Sequence, residues 1–183
     1  KSGEKAKKAF AGTEIKGKKL GIIGLGAIGV LVANAANRLG MDVYGCDPYL
    51  SVEHALNMSR DVTMVKTNEE LYEMCDYLTV HVPLLDSTKG MFNKEAFDKM
   101  KDGVVIINTS RGTNVDEAAL LAALESGKVR AAGLDVWAEE PAKNVALYSH
   151  PRVSCTPHIG AATQEAQARI GTEIVSVIES FFA

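Results

Sequence analysis

Seven short runs rich in apolar and β-branched residues punctuate the chain, at Leu20–Ile23, Asp42–Cys46, Val62–Val65, Tyr77–Val82, Val104–Asn108, Ala131–Val136 and Val153–Thr156. Several of them, such as "VVIIN" at 104–108, are continuously apolar rather than alternating. A strand with one wet face alternates; a strand covered on both faces does not, so this pattern predicts a parallel sheet buried between helices. Stretches of helical period separate the runs. Ile28, Leu31, Val32, Ala35, Ala36 and Leu39 recur at helical spacing as an apolar face, and Gly40 sits where a C-terminal cap belongs. Asp116 can cap the helix "EAALLAALES", with Val115 and Leu120 placed as a hydrophobic staple and Gly127 past its end. The last helical stretch, from about Ala162 to Phe182, is amphipathic through Ile170, Ile174, Val177, Ile178 and Phe181. Alternating β and α elements imply right-handed crossovers and a doubly wound α/β sheet of about seven strands with helices on both faces.

The bulk properties narrow the function classes. With 183 residues and no linker or repeat, the chain reads as one domain spanning 1–183. Its net charge of −3 supplies no field for nucleic acid or an anionic membrane. The basic segment at Lys1, Lys5, Lys7 and Lys8 is interrupted by Glu4 and reads as a solvated helix face. No apolar run approaches the ~20 residues that span a bilayer. Cys46, Cys75 and Cys155 are far apart, odd in number and lack a CxxC pairing. That speaks against a disulfide framework or a zinc site, so no metal is expected, and for a reducing compartment, the cytoplasm.

"KKLGIIGLGAIG", residues 18–29, carries the first chemical signal. A lone GxGxxG is weak, but here a strand precedes it and a helix opens at about Ala27, the context of a Rossmann-type dinucleotide site. Gly24 permits the tight turn, Gly26 lets backbone approach a pyrophosphate, and Gly29 lets helix and strand pack closely. The helix N-terminus offers unpaired N–H groups and the positive end of its dipole to phosphates. Asp47 follows the second strand, about 18 residues beyond Gly29. There its carboxylate can accept from the adenosine ribose hydroxyls and would repel a 2′-phosphate, so NAD is expected rather than NADP.

Further motifs follow in order: "HVPLLDSTKG", "INTSRG", "GLDVWAEEP" and "TPHIGAATQEAQ". Together with the glycine turn they resemble the nucleotide-binding domain of the D-isomer-specific 2-hydroxyacid dehydrogenases over essentially the whole chain. The residues make chemical sense beside that likeness. Arg111, Glu140 and His158 all follow directly on expected strands, so they converge on one crevice. Oxidising a 2-hydroxy acid needs a base for the hydroxyl proton and a cation to orient the carboxylate. Imidazole titrates near working pH and suits the base. Glu140, paired with His158, would favour the imidazolium and so the acid role in keto-acid reduction. Arg111 supplies a planar two-donor fork for the substrate carboxylate.

The resemblance implies that these three positions are the family's catalytic arginine, glutamate and histidine. It also implies cofactor contacts beyond the glycines and Asp47. Ala27 and Ile28 fall at the pyrophosphate turn, where Ala27 replaces the arginine or histidine of the family. His81, Val82 and Pro83 match the loop lining the adenosine. Thr109, Ser110 and Arg111 approach the nicotinamide, as do His158, Gly160 and Ala161. Asp135 matches an aspartate that accepts from the nicotinamide carboxamide; the alternative is a strand-end carboxylate capping the next turn. His54 and His150 belong to no motif and read as surface residues.

Members of that family are longer, with a substrate domain built from flanking chain. The sequence, which begins at Lys1, therefore reads as the nucleotide-binding part with flanking linker helices and without the substrate domain. The resemblance further implies a small 2-hydroxy or 2-keto acid substrate and pairing into a homodimer through this domain. Two other classes share part of the pattern. An NAD-sensing corepressor-like protein would carry the same motifs, and an S-adenosylmethionine methyltransferase would share only the glycine turn.

Overall fold

The computed structural model describes residues 11–182, so the basic segment at Lys1–Lys8 and the linker helix expected there lie outside the described residues. Seven strands form one sheet in the order β3-β2-β1-β4-β5-β6-β7, every neighbouring pair parallel. They are β1 (Lys19–Ile23), β2 (Asp42–Cys46), β3 (Thr63–Met64), β4 (Tyr77–Val80), β5 (Val104–Asn108), β6 (Val129–Leu134) and β7 (Val153–Cys155). Helices α1 (Ala27–Arg38), α2 (Val52–Asn57), α3 (Asn68–Met74), α4 (Lys94–Lys99), α5 (Glu117–Ser126), α6 (Val145–Tyr148) and α7 (Gln164–Phe182) connect or follow them. This is the doubly wound α/β architecture expected from the run pattern.

Strand alternation divides the core. Leu20 and Ile22 of β1 enter a cluster with Val30, Ala33 and Ala36 of α1, whereas Ile23 joins the larger cluster of Leu71, Phe92, Phe97, Ile106, Leu120 and Leu124. Each fully buried side chain of this size contributes about 1.5–3 kcal/mol of hydrophobic stabilisation. Local signals agree with this packing. Asp116 accepts from the Ala118 and Ala119 amides, and Val115 and Leu120 are both buried. Gly127 ends α5 at φ 84.

Three details differ from the sequence reading. The apolar face assigned to α1 is largely the wrong one: Ile28, Leu31 and Leu39 are 62%, 69% and 61% exposed. Gly29, Val30, Ala33 and Ala36 face the sheet instead. The cause is Gly29, where a Cβ would lie 2.0 Å from the Gly24 carbonyl oxygen; that contact sets the helix rotation and overrides the larger side chains. Strand ends also shift. β4 stops at Val80 because, after His81 N donates to Ile23 O, Pro83 has no N–H to continue the ladder. β3 is reduced to two residues, and β6 begins at Val129 and ends at Leu134, an irregularity at Val104/Val105 having moved its pairing. Finally, α7 starts at Gln164, and its apolar row from Ile170 to Phe181 is exposed.

Candidate cofactor and active site

Chain connections leave β1 in opposite directions: α1 leads to β2 on one side, and the path from β3 returns to β4 on the other. Between β1 and β4 the two crossovers diverge, and a crevice opens beyond the carboxyl ends of the strands.

The glycine turn forms one wall. Gly24 has φ +91, and a Cβ there would meet the His81 carbonyl oxygen at 2.6 Å. Gly26 is the N-cap of α1, with no side-chain cap and no acid in the first turn. A Cβ at Gly26 would meet nothing within 4 Å, so this backbone faces open space. Unpaired amides and the positive dipole end therefore face that space together, suited to an anion. Ala27 and Ile28 begin α1, both exposed.

Asp47 follows β2 and does more than the sequence reading asked of it. One carboxylate oxygen accepts from Leu25 N and the other from Tyr49 N, each at 2.8 Å. The side chain thus fastens the glycine turn to the loop after β2. A cavity of about 430 Å³ opens here, lined among others by Gly24, Gly26, Asp47, His81, Val82 and Pro83. His81 Nε2 lies 2.9 Å from the hydroxyl of buried Thr79, and burial pulls the imidazole below its ordinary range. A depression of similar size, about 440 Å³, lies at the far end of α1 against Asn34, Asn37, Arg38 and Asp61, where no strand carboxyl end reaches.

Beyond β5, Thr109 and Arg111 are exposed and Ser110 is half-buried. Arg111 donates to the Ser110 carbonyl at 2.7 Å. Two residues that the sequence reading passed over brace this loop. Asn108, 1% exposed, donates to Arg111 O and accepts from Ser110 N and Oγ; Asn114, 0% exposed, donates to Ser110 Oγ and Val82 O. Asparagine ending a strand, three residues before a charged one, is the only sequence hint of this arrangement.

The loops after β6 and β7 meet. His158 Nδ1 is 2.8 Å from Glu140 Oε2. The hydrogen bond from His158 holds the Glu140 carboxyl below the usual carboxylate range. With Nδ1 donating to the carboxylate, Nε2 is the ring nitrogen left for other work. His158 has φ 57, the left-handed region, which costs a non-glycine residue about 1–3 kcal/mol unless its surroundings fix it. They do so through Asp135, 7% exposed, whose carboxylate accepts from Thr156 Oγ1, Ile159 N and Gly160 N. Burial acts to raise the Asp135 carboxyl, but these donors outweigh it and hold it below the usual range. Both Asp135 oxygens are therefore engaged by the segment that carries His158, after β7, rather than by the next turn after β6. Ala161 is exposed beside them. On the Glu140 side, Trp137 N donates to Glu140 Oε1, while Glu117, at the start of α5, accepts from Ala138 N and Asn144 Nδ2. Arg111 makes no hydrogen bond to Glu140 or His158 among the described residues.

A switch-point crevice, a glycine turn opening a bare helix N-terminus and an acid ending β2 define a dinucleotide-binding domain of the doubly wound class. Residues 1–160 match the family model described as "D-isomer specific 2-hydroxyacid dehydrogenase, NAD binding domain", and the chain belongs to that family. It is 47% identical over 174 residues to the D-3-phosphoglycerate dehydrogenase of Homo sapiens, covering 95% of this chain and 32% of that protein. Among solved structures it is similar to a glyoxylate reductase from Paecilomyes thermophila, with TM-score 0.87 and 37% identity over 98% of this chain and 53% of that one. It is also similar to the D-lactate dehydrogenase of Aquifex aeolicus complexed with NAD and lactic acid, with TM-score 0.82 and 32% identity over 99% and 60% of the two chains. The chain spans about a third of the length of the curated relatives it matches. Membership of an NAD-binding family removes the methyltransferase alternative. No helix among the described residues is long and apolar enough to cross a membrane.

Proposed function

We propose that the chain is the NAD-binding unit of a dehydrogenase interconverting D-3-phosphoglycerate and the corresponding 2-keto acid. Glyoxylate or D-lactate chemistry is the alternative within the family. The observation that carries the reading is the Glu140–His158 contact, on the same carboxyl edge of the sheet as the glycine turn. The D-3-phosphoglycerate dehydrogenase name of the 47%-identical relative, and the "DPY" and "HIGAATQEAQ" segments of this sequence, favour that substrate over the others.

NAD fits the residues present, because the open space at Gly26 admits a pyrophosphate and Asp47 lines the adjoining cavity. Gly24, Gly26, Ala27, Ile28 and Gly29 would hold the phosphates, and Asp47 the adenosine ribose. His81, Val82 and Pro83 would line the adenosine, and Thr109, Ser110, Asp135, Gly160 and Ala161 would border the nicotinamide. Bound there, the cofactor supplies a hydride acceptor in one direction and a donor in the other. His158 Nε2 takes the hydroxyl proton in oxidation and returns it in reduction, with Glu140 fixing the tautomer. Arg111 orients the carboxylate through its guanidinium fork.

As a domain of a larger enzyme, the chain would bind NAD yet turn over little substrate without a second wall to exclude water. We also read it as a cytoplasmic homodimer. All three cysteines are free, which suits a reducing compartment, and exposed apolar rows such as that of α7 suit an interface. An NADH-linked assay with D-3-phosphoglycerate, glyoxylate and D-lactate, on the protein in its full natural length, tests the reaction. NADH binding without turnover of any of them would favour a cofactor-sensing binding protein. Light scattering on the 183-residue chain tests the dimer, and a monomer would remove it.

A further inference from the structure

Asn108, Ser110 and Asn114 form a chain of hydrogen bonds whose direction is fully determined. Asn108 Nδ2 donates to Arg111 O at 2.9 Å, so its Oδ1 is the acceptor for Ser110 N at 3.0 Å and Ser110 Oγ at 2.9 Å. Having given its only proton to Asn108, the Ser110 hydroxyl can only accept from its other neighbour. Asn114 must therefore present its Nδ2, at 3.1 Å, and the same nitrogen reaches Val82 O at 3.3 Å. Its Oδ1 is left buried with no partner among the described residues. A carboxamide with an orphaned oxygen stabilises less than a fully paired one. Backbone bonds from Gly90 N to Thr113 O and from Phe92 N to Asn114 O already tie the two segments further along; what the Asn114 side chain adds is a bridge at Val82, on the cavity wall, to the loop that carries Arg111.

We propose that Asn108 and Asn114 are positioning residues that couple the cofactor cavity to Arg111. A ligand pressing on the 81–83 loop sets the Val82 carbonyl; through Asn114, Ser110 and Asn108 it then sets the backbone from which the Arg111 side chain projects. The bonds lie in an interior of low dielectric, where each is stronger than at the surface and a half-made set is costly. The relay is thus either closed or broken, which makes it a transmitter of cavity occupancy. This inference rests on the reading of that cavity as the NAD site.

Amide hydrogen exchange across residues 108–115 tests it, recorded on the protein with and without saturating NADH. In the wild type, NADH should slow exchange at Ser110, Arg111 and Gly112 by tenfold or more. In Asn114→Leu NADH affinity should stay within threefold, yet that slowing should be lost. Asn114→Ala removes the same bridge with a smaller side chain and should lose it too, even if Asn114→Leu fails to fold. Slowing that survives in either folded variant overturns the relay. Failure of the wild type to bind NADH would instead remove the cofactor reading itself, so the two failures are told apart by the titration.

Discussion

Around the glycine turn, between β1, β2 and β4, the wall of the crevice is mostly backbone. The Gly24 amide is held by Cys46 O, the Gly29 Cα lies against Gly24 O, and the cavity beyond is shaped by these close approaches. Across the crevice, at the ends of β5, β6 and β7, the groups proposed for the chemistry are exposed side chains: Arg111, Glu140 and His158. Each is aimed by buried or half-buried polar residues beneath it, Asn108 and Asn114 for the first, Glu117 and Asp135 for the others. The first region fails if the chain path changes, whereas the second can lose a side chain and keep its shape. Binding and chemistry should therefore be separable by substitution.

The largest separation should come from His158→Ala. In the catalytically complete protein it should lower turnover roughly 10²–10⁴-fold, the contribution of a general base, with NADH affinity nearly intact. Steady-state kinetics beside an NADH titration reads both; equal loss of binding and turnover would erase the contrast. The glycine side should behave in the opposite way. Gly29→Ala drives a Cβ into backbone that cannot yield and should cost about 3 kcal/mol in denaturant unfolding, with the fold and binding failing together. Gly26→Ala, with open space and φ −75, should cost only about 1 kcal/mol of stability, the penalty of alanine at an N-cap, and weaken NADH tenfold or more, about 1.4 kcal/mol. If the two variants unfold alike, the turn is not built as described.

A smaller effect is expected at Asp47. NADH should bind at least tenfold tighter than NADPH, and Asp47→Ala should narrow that gap while lowering stability, since Leu25 N and Tyr49 N lose their acceptor. Calorimetric titration with both nucleotides checks it; equal affinities in the wild type would remove the ribose assignment. The smallest effect is a pH dependence at His81. Burial lowers its folded pKa, so the native state disfavours a proton that the unfolded chain accepts near 6.5. Stability from this group is present above that pH and is lost as pH falls through the folded value. His81→Gln should flatten the acid limb of the stability curve measured by thermal melts, and an unchanged limb would count against it.

The seven parallel strands and the α5 cap were readable because each element is announced by residues close in sequence. Asp116 and Gly127 frame one helix, and "VVIIN" announces a strand covered on both sides. The meeting of Glu140 and His158 was readable for another reason: both follow strands that a parallel sheet brings to one edge. The α1 face was not readable. Side-chain size favoured Ile28 and Leu31, but a backbone contact at Gly29 decided the rotation, and periodicity carries no information about such a contact. Asn114 and Glu117 were missed because their partners lie 32 and 21 residues away, at Val82 and Ala138. A buried amide or a half-buried acid in a helix's first turn looks in sequence like any solvated polar residue.

On the proposed reading Asp47 joins two tasks in one carboxylate, bracing the turn and choosing the nucleotide, and that has an evolutionary consequence. A lineage drifting toward a phosphorylated nucleotide must shed the negative charge at this position, yet the same step releases the amides of Leu25 and Tyr49. A neutral replacement first passes through a loosened turn that grips either nucleotide poorly. The accessible route begins elsewhere, with a substitution that gives one of those amides a new acceptor while Asp47 is still present. Mutations at this corner should therefore be order-dependent: the same pair of changes is tolerated in one sequence and lost in the other. A cofactor switch designed on Asp47 alone would be selected against before its benefit appeared.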